Sequence, residues 1–182
     1  MSKNFFEVKN VDFKVGGKTK VANVSFAIEN EGDVICLLGP SGIGKTTIAR
    51  IVAKILNCTH GIKNECQGKC SNCEAITNSS HIDVLEMDAA SKTGVDDVRE
   101  LIEFSKYGPT SSKYKIFIID EVHMLSKQAF NALLKTLEEP PAYLKFIFAT
   151  TEIKKIPITV ISRCQRFDLS RIKSSELFEF IR

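Results

Sequence analysis

Residues Val34 to Arg50 read VICLLGPSGIGKTTIAR, and this stretch decides the fold. Its first five residues form an apolar run, the pattern of a strand buried on both faces. Gly39-Pro40-Ser41-Gly42-Ile43-Gly44-Lys45-Thr46 then matches G-x-x-x-x-G-K-[ST] in full, and Thr47 follows. Beyond it Ile48, Ile51, Val52 and Ile55 fall on one face, which predicts a helix from about Lys45 to Leu56. Strand, glycine loop and helix in that order are the context that confirms a phosphate-binding loop. The glycines let the backbone curl until its N–H groups face the phosphates, and the helix N-terminus adds partial positive charge. Residues 39–47 are therefore the candidate nucleotide site, with Lys45 reaching the β- and γ-phosphates and the Thr46 hydroxyl binding Mg²⁺.

Downstream, apolar strands alternate with amphipathic helices. Ile82 to Met87, Tyr114 to Ile119 and Phe146 to Thr150 read as strands. Val95 to Phe104 reads as a helix, and Ser126 caps another that runs to about Glu138 and stops at Pro140-Pro141. This alternation predicts an α/β protein with a mostly parallel sheet flanked by helices. The strand ending at Ile119 delivers Asp120 and Glu121 to its C-terminal end, where ligands sit in open α/β sheets. Asp120 suits the Mg²⁺ shell, and Glu121 suits a base that polarises an attacking water.

Upstream, Val11, Phe13 and Val15 alternate with polar residues, and so do Val24, Phe26 and Ile28. A small N-terminal antiparallel β-hairpin follows from that period of two. Its end, Asn30-Glu31-Gly32-Asp33, reads as a turn, and Ser174 to Ile181 at the other end of the chain has a helical pattern. The chain has 182 residues, enough for one domain, and a net charge of +3, too small to argue for nucleic acid or a membrane. No apolar run approaches bilayer length and the start has no signal-peptide core, so a cytoplasmic location is expected. Of 6 cysteines, four fall between Cys58 and Cys73, which favours metal over disulfides in such a protein.

From Thr47 onward the chain resembles the gamma/tau family, the motor subunits of the bacterial DNA polymerase III clamp loader, which are AAA+ ATPases. The match is carried by IARIVAKILNC (48–58), MDAASKTGVDDVRELIE (87–103), IDEVHMLSKQAFNALLKTLEEPP (119–141), KFIFATTE (145–152) and ISRCQRF (161–167). His123, within EVHML, belongs to this pattern. The resemblance implies that Lys45 and Thr46 serve the phosphate loop and that Asp120 and Glu121 are the Walker B pair. It places Thr150 and Thr151 in the sensor-1 region, near the γ-phosphate. It makes Arg163, in Ser162-Arg163-Cys164, an arginine acting in trans on the ATP of a neighbouring subunit, as a guanidinium suits developing phosphate charge. It also implies a zinc insert with Cys58, Cys66, Cys70 and Cys73 as ligands to Zn²⁺, a closed tetrahedral site; His60 is the alternative ligand. Cys36 and Cys164 read as structural.

The resemblance stops before the loop. Residues 1–46 look like the opening of an ABC-transporter ATPase, on the sequence GDVICLLGPSGIGKTT and the two strands before it. Phe13 stands where that family stacks an aromatic ring on adenine; it equally suits the core face of an alternating strand. No LSGGQ-type signature follows, so ABC transport is not expected. The chain reads as a hybrid joined near the shared loop.

The expected layout is one P-loop ATPase domain over 1–182. It divides into an ABC-like β segment (1–32), the Walker A strand, loop and helix (33–57), the zinc insert (58–73), an AAA+ core (74–170) and the start of a lid (171–182). The expected function is an ATP-driven clamp-loader module acting with the other loader subunits, the sliding clamp and primed DNA. An ABC-type ATPase fragment, with a membrane partner, and a chimera that binds nucleotide without assembling are the alternatives.

Overall fold

A computed structural model describes residues 34–61, 66 and 68–171 in full, and the backbone of two strands over 6–15 and 18–28. The elements run β1 Phe6–Val15, β2 Lys18–Ile28, β3 Val34–Leu38, α1 Lys45–Asn57, α2 Ser71–Thr77, β4 Val84–Asp88 and α3 Val95–Ser105. They continue with β5 Lys115–Asp120, α4 Lys127–Glu138, β6 Leu144–Thr150, α5 Ile158–Ile161 and β7 Cys164–Asp168. Strands β1 and β2 pair antiparallel, as their alternation predicts, and form a sheet of their own. The other five strands form one sheet in the order β4-β5-β6-β3-β7, and every pairing in it is parallel.

Alternation along these strands builds two cores, one on each face of the sheet. On one face Ile35 and Leu37 of β3, Ile116 and Ile118 of β5 and Ile147 of β6 pack with Ile48, Val52 and Leu56 of α1 and Ile76 of α2. On the other, Cys36, Phe117, Ile119, Phe146 and Phe148 pack with α3, α4 and α5. The second face is aromatic: the Phe117 and Phe146 rings meet edge to face with centroids 5.5 Å apart. Each such buried ring contributes roughly 2–3 kcal/mol of apolar transfer. Burial on both faces explains why β3, β5 and β6 are near-continuous apolar runs.

Two polar residues inside this frame hold connections in place. Asp83, fully buried before β4, accepts hydrogen bonds from the Thr110 and Ser111 amides, at 2.7 Å each, and from the Ser111 and Ser112 hydroxyls. Burial alone would raise its pKa; these donors outweigh burial and hold the carboxyl below its ordinary range. Lys115, also buried, donates to the Phe104 and Tyr107 carbonyls and lies over the Phe104 ring, closing the C-terminal end of α3.

The strands at 84–88, 115–120 and 144–150 fall within two residues of their expected ends. The edge strand β7 and helix α2 were not expected. The predicted turn at 30–33 and the helical pattern at 174–181 lie outside the described residues.

Candidate functional site

Parallel pairing brings three strand ends together. Leu38 of β3 is in register with Thr150 of β6, and Ile119 of β5 with Phe148. The amide of Gly39 donates to the Thr150 carbonyl at 3.2 Å, so the loop leaves the sheet tied to β6. Gly39 has no room for a side chain: a Cβ there would sit 2.9 Å from the Leu169 carbonyl oxygen. Gly42 and Gly44 have φ of 77° and 95°, the left-handed region that costs glycine least. Gly44 then caps α1, whose N-terminus opens at Lys45. Pro40, Ser41 and Thr47 are exposed, while Ile43 is half-buried.

Lys45 is only 5 % exposed and donates to the Gly39 carbonyl at 2.9 Å and the Pro40 carbonyl at 3.3 Å. Its ammonium lies 3.7 Å from Glu121 Oε1. The Thr46 hydroxyl donates to Asp120 Oδ2 at 2.5 Å, joining loop and carboxylate across 74 positions of sequence. A hydroxyl and a carboxylate oxygen side by side at a phosphate loop are a donor set that fits Mg²⁺.

Glu121 has φ 46° and ψ 44°, left-handed for a residue with a side chain. Its amide donates to Asp120 Oδ1, and its carbonyl accepts from Met124 at 2.8 Å. Its Oε2 accepts from the Thr151 amide at 3.3 Å and the Thr151 hydroxyl at 3.2 Å. Thr150 is different: it is fully buried, and its hydroxyl accepts from the Glu152 amide and meets His123 Nδ1 at 2.9 Å. Of the two sensor-region threonines, Thr151 faces the carboxylate pair and Thr150 faces inward. His123 was recognised in sequence only as part of a pattern; its contact with both strand ends carried no periodicity signal.

Arg163 lies elsewhere. Cys164, the next residue, is in register with Val34 at the start of β3, whereas the loop leaves the end of β3. That separation is roughly 15 Å along the strand. Its guanidinium pairs with Glu138 at 2.7 Å and donates to the Thr159 carbonyl, half-exposed.

The four insert cysteines converge. The Sγ atoms of Cys58, Cys66, Cys70 and Cys73 all lie within 4.8 Å of one another, with Cys58–Cys70 and Cys66–Cys73 at 4.0 Å. Four thiolates around zinc at about 2.3 Å stand roughly 3.8 Å apart, so the cluster fits a tetrahedral ion. Burial raises the Cys70 thiol, but hydrogen bonds from Thr59 and Cys73 outweigh it and bring it to about 5. His60 is exposed, bonds Thr59 and is not in the cluster. Burial pushes Cys36 up to about 11 and Cys164 up to about 12, as inert structural thiols require. The Phe13 ring lies outside the described residues, and among those described no helix is long and apolar enough to cross a membrane.

Residues 20–173 match the family described as "DNA polymerase III, delta subunit". Among curated proteins, the chain is 56% identical over 139 residues to DNA polymerase III subunit tau of Bacillus subtilis, covering 76% of this chain and 25% of that protein. It is 50% identical over 143 residues to subunit tau/gamma of Haemophilus influenzae, covering 79% of this chain and 21% of that protein. The chain thus spans about a quarter or less of the length of these two relatives. Among solved structures, a DNA polymerase III gamma subunit-related protein of Thermotoga maritima superposes with a TM-score of 0.62 at 24% identity, over 81% of this chain and 44% of that one. The RuvB Holliday junction branch migration motor of the same organism gives 0.54 at 20%, over 82% and 41%. At these identities the structures establish the fold alone, an α/β domain with a parallel sheet flanked by helices. Nothing in these relatives supports an ABC-transporter reading.

Proposed function

This chain belongs to the DNA polymerase III clamp-loader family, and from that premise we propose that it is an ATP-binding and ATP-hydrolysing motor module of a clamp loader. In this reading ATP binding organises a ring of loader subunits that opens the sliding clamp and places it on primed DNA, and hydrolysis releases it. The observation that carries the proposal is the meeting of Thr46 and Asp120 beneath the glycine loop, with Lys45 and Glu121 3.7 Å apart beside them.

Each group has a part that its position supports. The loop amides and the start of α1 receive the phosphates. Lys45 leaves its own loop carbonyls for the β- and γ-phosphate oxygens. Thr46 and Asp120 would hold Mg²⁺, which supplies charge neutralisation on the phosphates when bound. Glu121 takes the hydrogen bond of the attacking water, and Thr151 reports the γ-phosphate to it. Arg163, roughly 15 Å along the sheet from its own loop, is suited to a neighbour's nucleotide rather than its own. That assignment requires it to exchange Glu138 for the neighbour's γ-phosphate. Cys58, Cys66, Cys70 and Cys73 would hold zinc, which supplies a structural cross-link between the end of α1 and α2.

Calorimetric titration of the full chain with ATP and Mg²⁺ tests the reading. Binding to the wild type and its loss in Lys45→Ala are expected. Equal affinity in both proteins would move the nucleotide elsewhere and overturn the site.

A further inference from the structure

Glu121 is the residue whose aim decides whether a water is activated, and its two oxygens face different ways. Oε1 looks towards the Lys45 ammonium. Oε2 looks towards Thr151 and His123, whose Nδ1 is 3.4 Å away. The His123 side chain is 6 % exposed, so it is no surface histidine. It sits in the 3-10 turn Val122–Met124 that directly follows the left-handed Glu121. Its Nδ1 also meets the Thr150 hydroxyl at 2.9 Å, and its Nε2 stands 3.7 Å from Glu152 Oε1. One ring therefore stands beside the Glu121 carboxylate after β5, the Thr150 hydroxyl that ends β6 and the Glu152 carboxylate just beyond it.

Resting on the ATPase reading above, we propose that His123 is a positioning residue for Glu121, holding Oε2 against the end of β6 so that Oε1 alone is presented to the water. The backbone makes such a brace necessary. A non-glycine residue in the left-handed region is strained and persists only where its surroundings over-determine it. Two backbone hydrogen bonds secure the turn, Met124 to Glu121 and Leu125 to Val122, but neither fixes the carboxylate. Thr151 does, with two hydrogen bonds to Oε2, and the His123 Nδ1 stands 3.4 Å from the same oxygen. Because His123 also grips Thr150, and Thr150 carries the carbonyl that ties Gly39, the brace and the phosphate loop share one anchor.

Single-turnover ATP hydrolysis by the full chain, with ATP affinity measured alongside, tests the brace. His123→Ala is expected to lower the rate about 10- to 100-fold, the scale of a misplaced reacting group, with affinity unchanged within about twofold. His123→Asn, whose amide reaches the Nδ1 position, recovers most of the rate; His123→Gln, which reaches the Nε2 position, does not. In a Glu121→Gln background His123→Ala costs nothing further. Asn and Gln both keep a polar side chain, so their difference stands even if the alanine variant folds poorly. A loss of the same size in the Glu121→Gln background, a parallel loss of affinity, or equal behaviour of Asn and Gln overturns the proposal. Wild-type turnover that Lys45→Ala does not abolish overturns the ATPase reading itself, a result distinct from all of these.

Discussion

Helix α1 begins at Lys45 in the phosphate loop and ends at Asn57 beside Cys58, so it carries one candidate ligand site at each end, roughly 20 Å apart. At its N-terminus, groups from three strand ends converge: Lys45 after β3, Asp120 and Glu121 after β5, Thr151 after β6. None is near another in sequence except within its own loop, and the parallel sheet alone brings them together. At its C-terminus, four thiols from residues 58–73 meet within a contiguous insert. The first site depends on the whole fold. The second depends on local chain and closes upon itself. A site assembled from distant strands is poised for a reaction; a site closed by its own segment is suited to bracing.

This contrast breaks most visibly at Arg163. In an assembled loader, Arg163→Ala is expected to lower turnover about 1,000-fold while leaving ATP binding by its own chain intact, as measured by steady-state hydrolysis beside equilibrium titration. Next, Lys45→Ala should lower turnover about 100-fold or more and weaken nucleotide binding, with bound metal per chain unchanged by elemental analysis. A loss of metal in that variant would join two sites that the geometry keeps apart. Conversely, Cys73→Ser should release the metal and lower stability by about 2 kcal/mol, a fall of roughly 4–8 °C in melting temperature, with nucleotide affinity unchanged within about twofold.

The smallest effect concerns the segment between the two sites. His81, 7 % exposed, accepts from the Asp83 amide through Nδ1, and burial lowers its pKa from the ordinary 6.5. Asp83 is held below its ordinary 3.8. Both folded-state values lie below the unfolded ones, so the unfolded chain binds more protons and stability falls as pH falls. The His81 share is lost as pH drops below about 6.5, and the Asp83 share only below about 4. Urea unfolding should show lower stability at pH 5 than at pH 7 through His81, and His81→Gln should flatten that difference.

Much of this was legible in sequence because strands buried on both faces advertise themselves. VICLL, KIFIID and LKFIFAT leave little alternative to core strands, and the glycine loop fixes which of them carries the phosphates. Strand β7, CQRFD, was missed because an edge strand has mostly half-buried and exposed residues and reads as polar chain. Helix α2 was missed because its start lies inside the cysteine insert, where the thiols rather than an apolar stripe set its position. Lys115 fell inside the expected strand, but its role did not show, since a buried lysine that caps a distant helix looks like a solvated one. The roles of Thr150 and Thr151 were inseparable in sequence, because adjacent strand residues point to opposite faces and only the neighbours tell which face is which.

We propose that the phosphate loop binds ATP and that Arg163 serves the ATP of a neighbouring subunit. The most direct test is ATP turnover per chain against chain concentration, with and without other clamp-loader subunits. Such a division of roles gives Lys45-dependent ATP binding throughout, slow turnover in the dilute chain, and a large rise on assembly that Arg163→Ala removes. Lys45-dependent turnover by the dilute chain as fast as that of the assembled motor would contradict it.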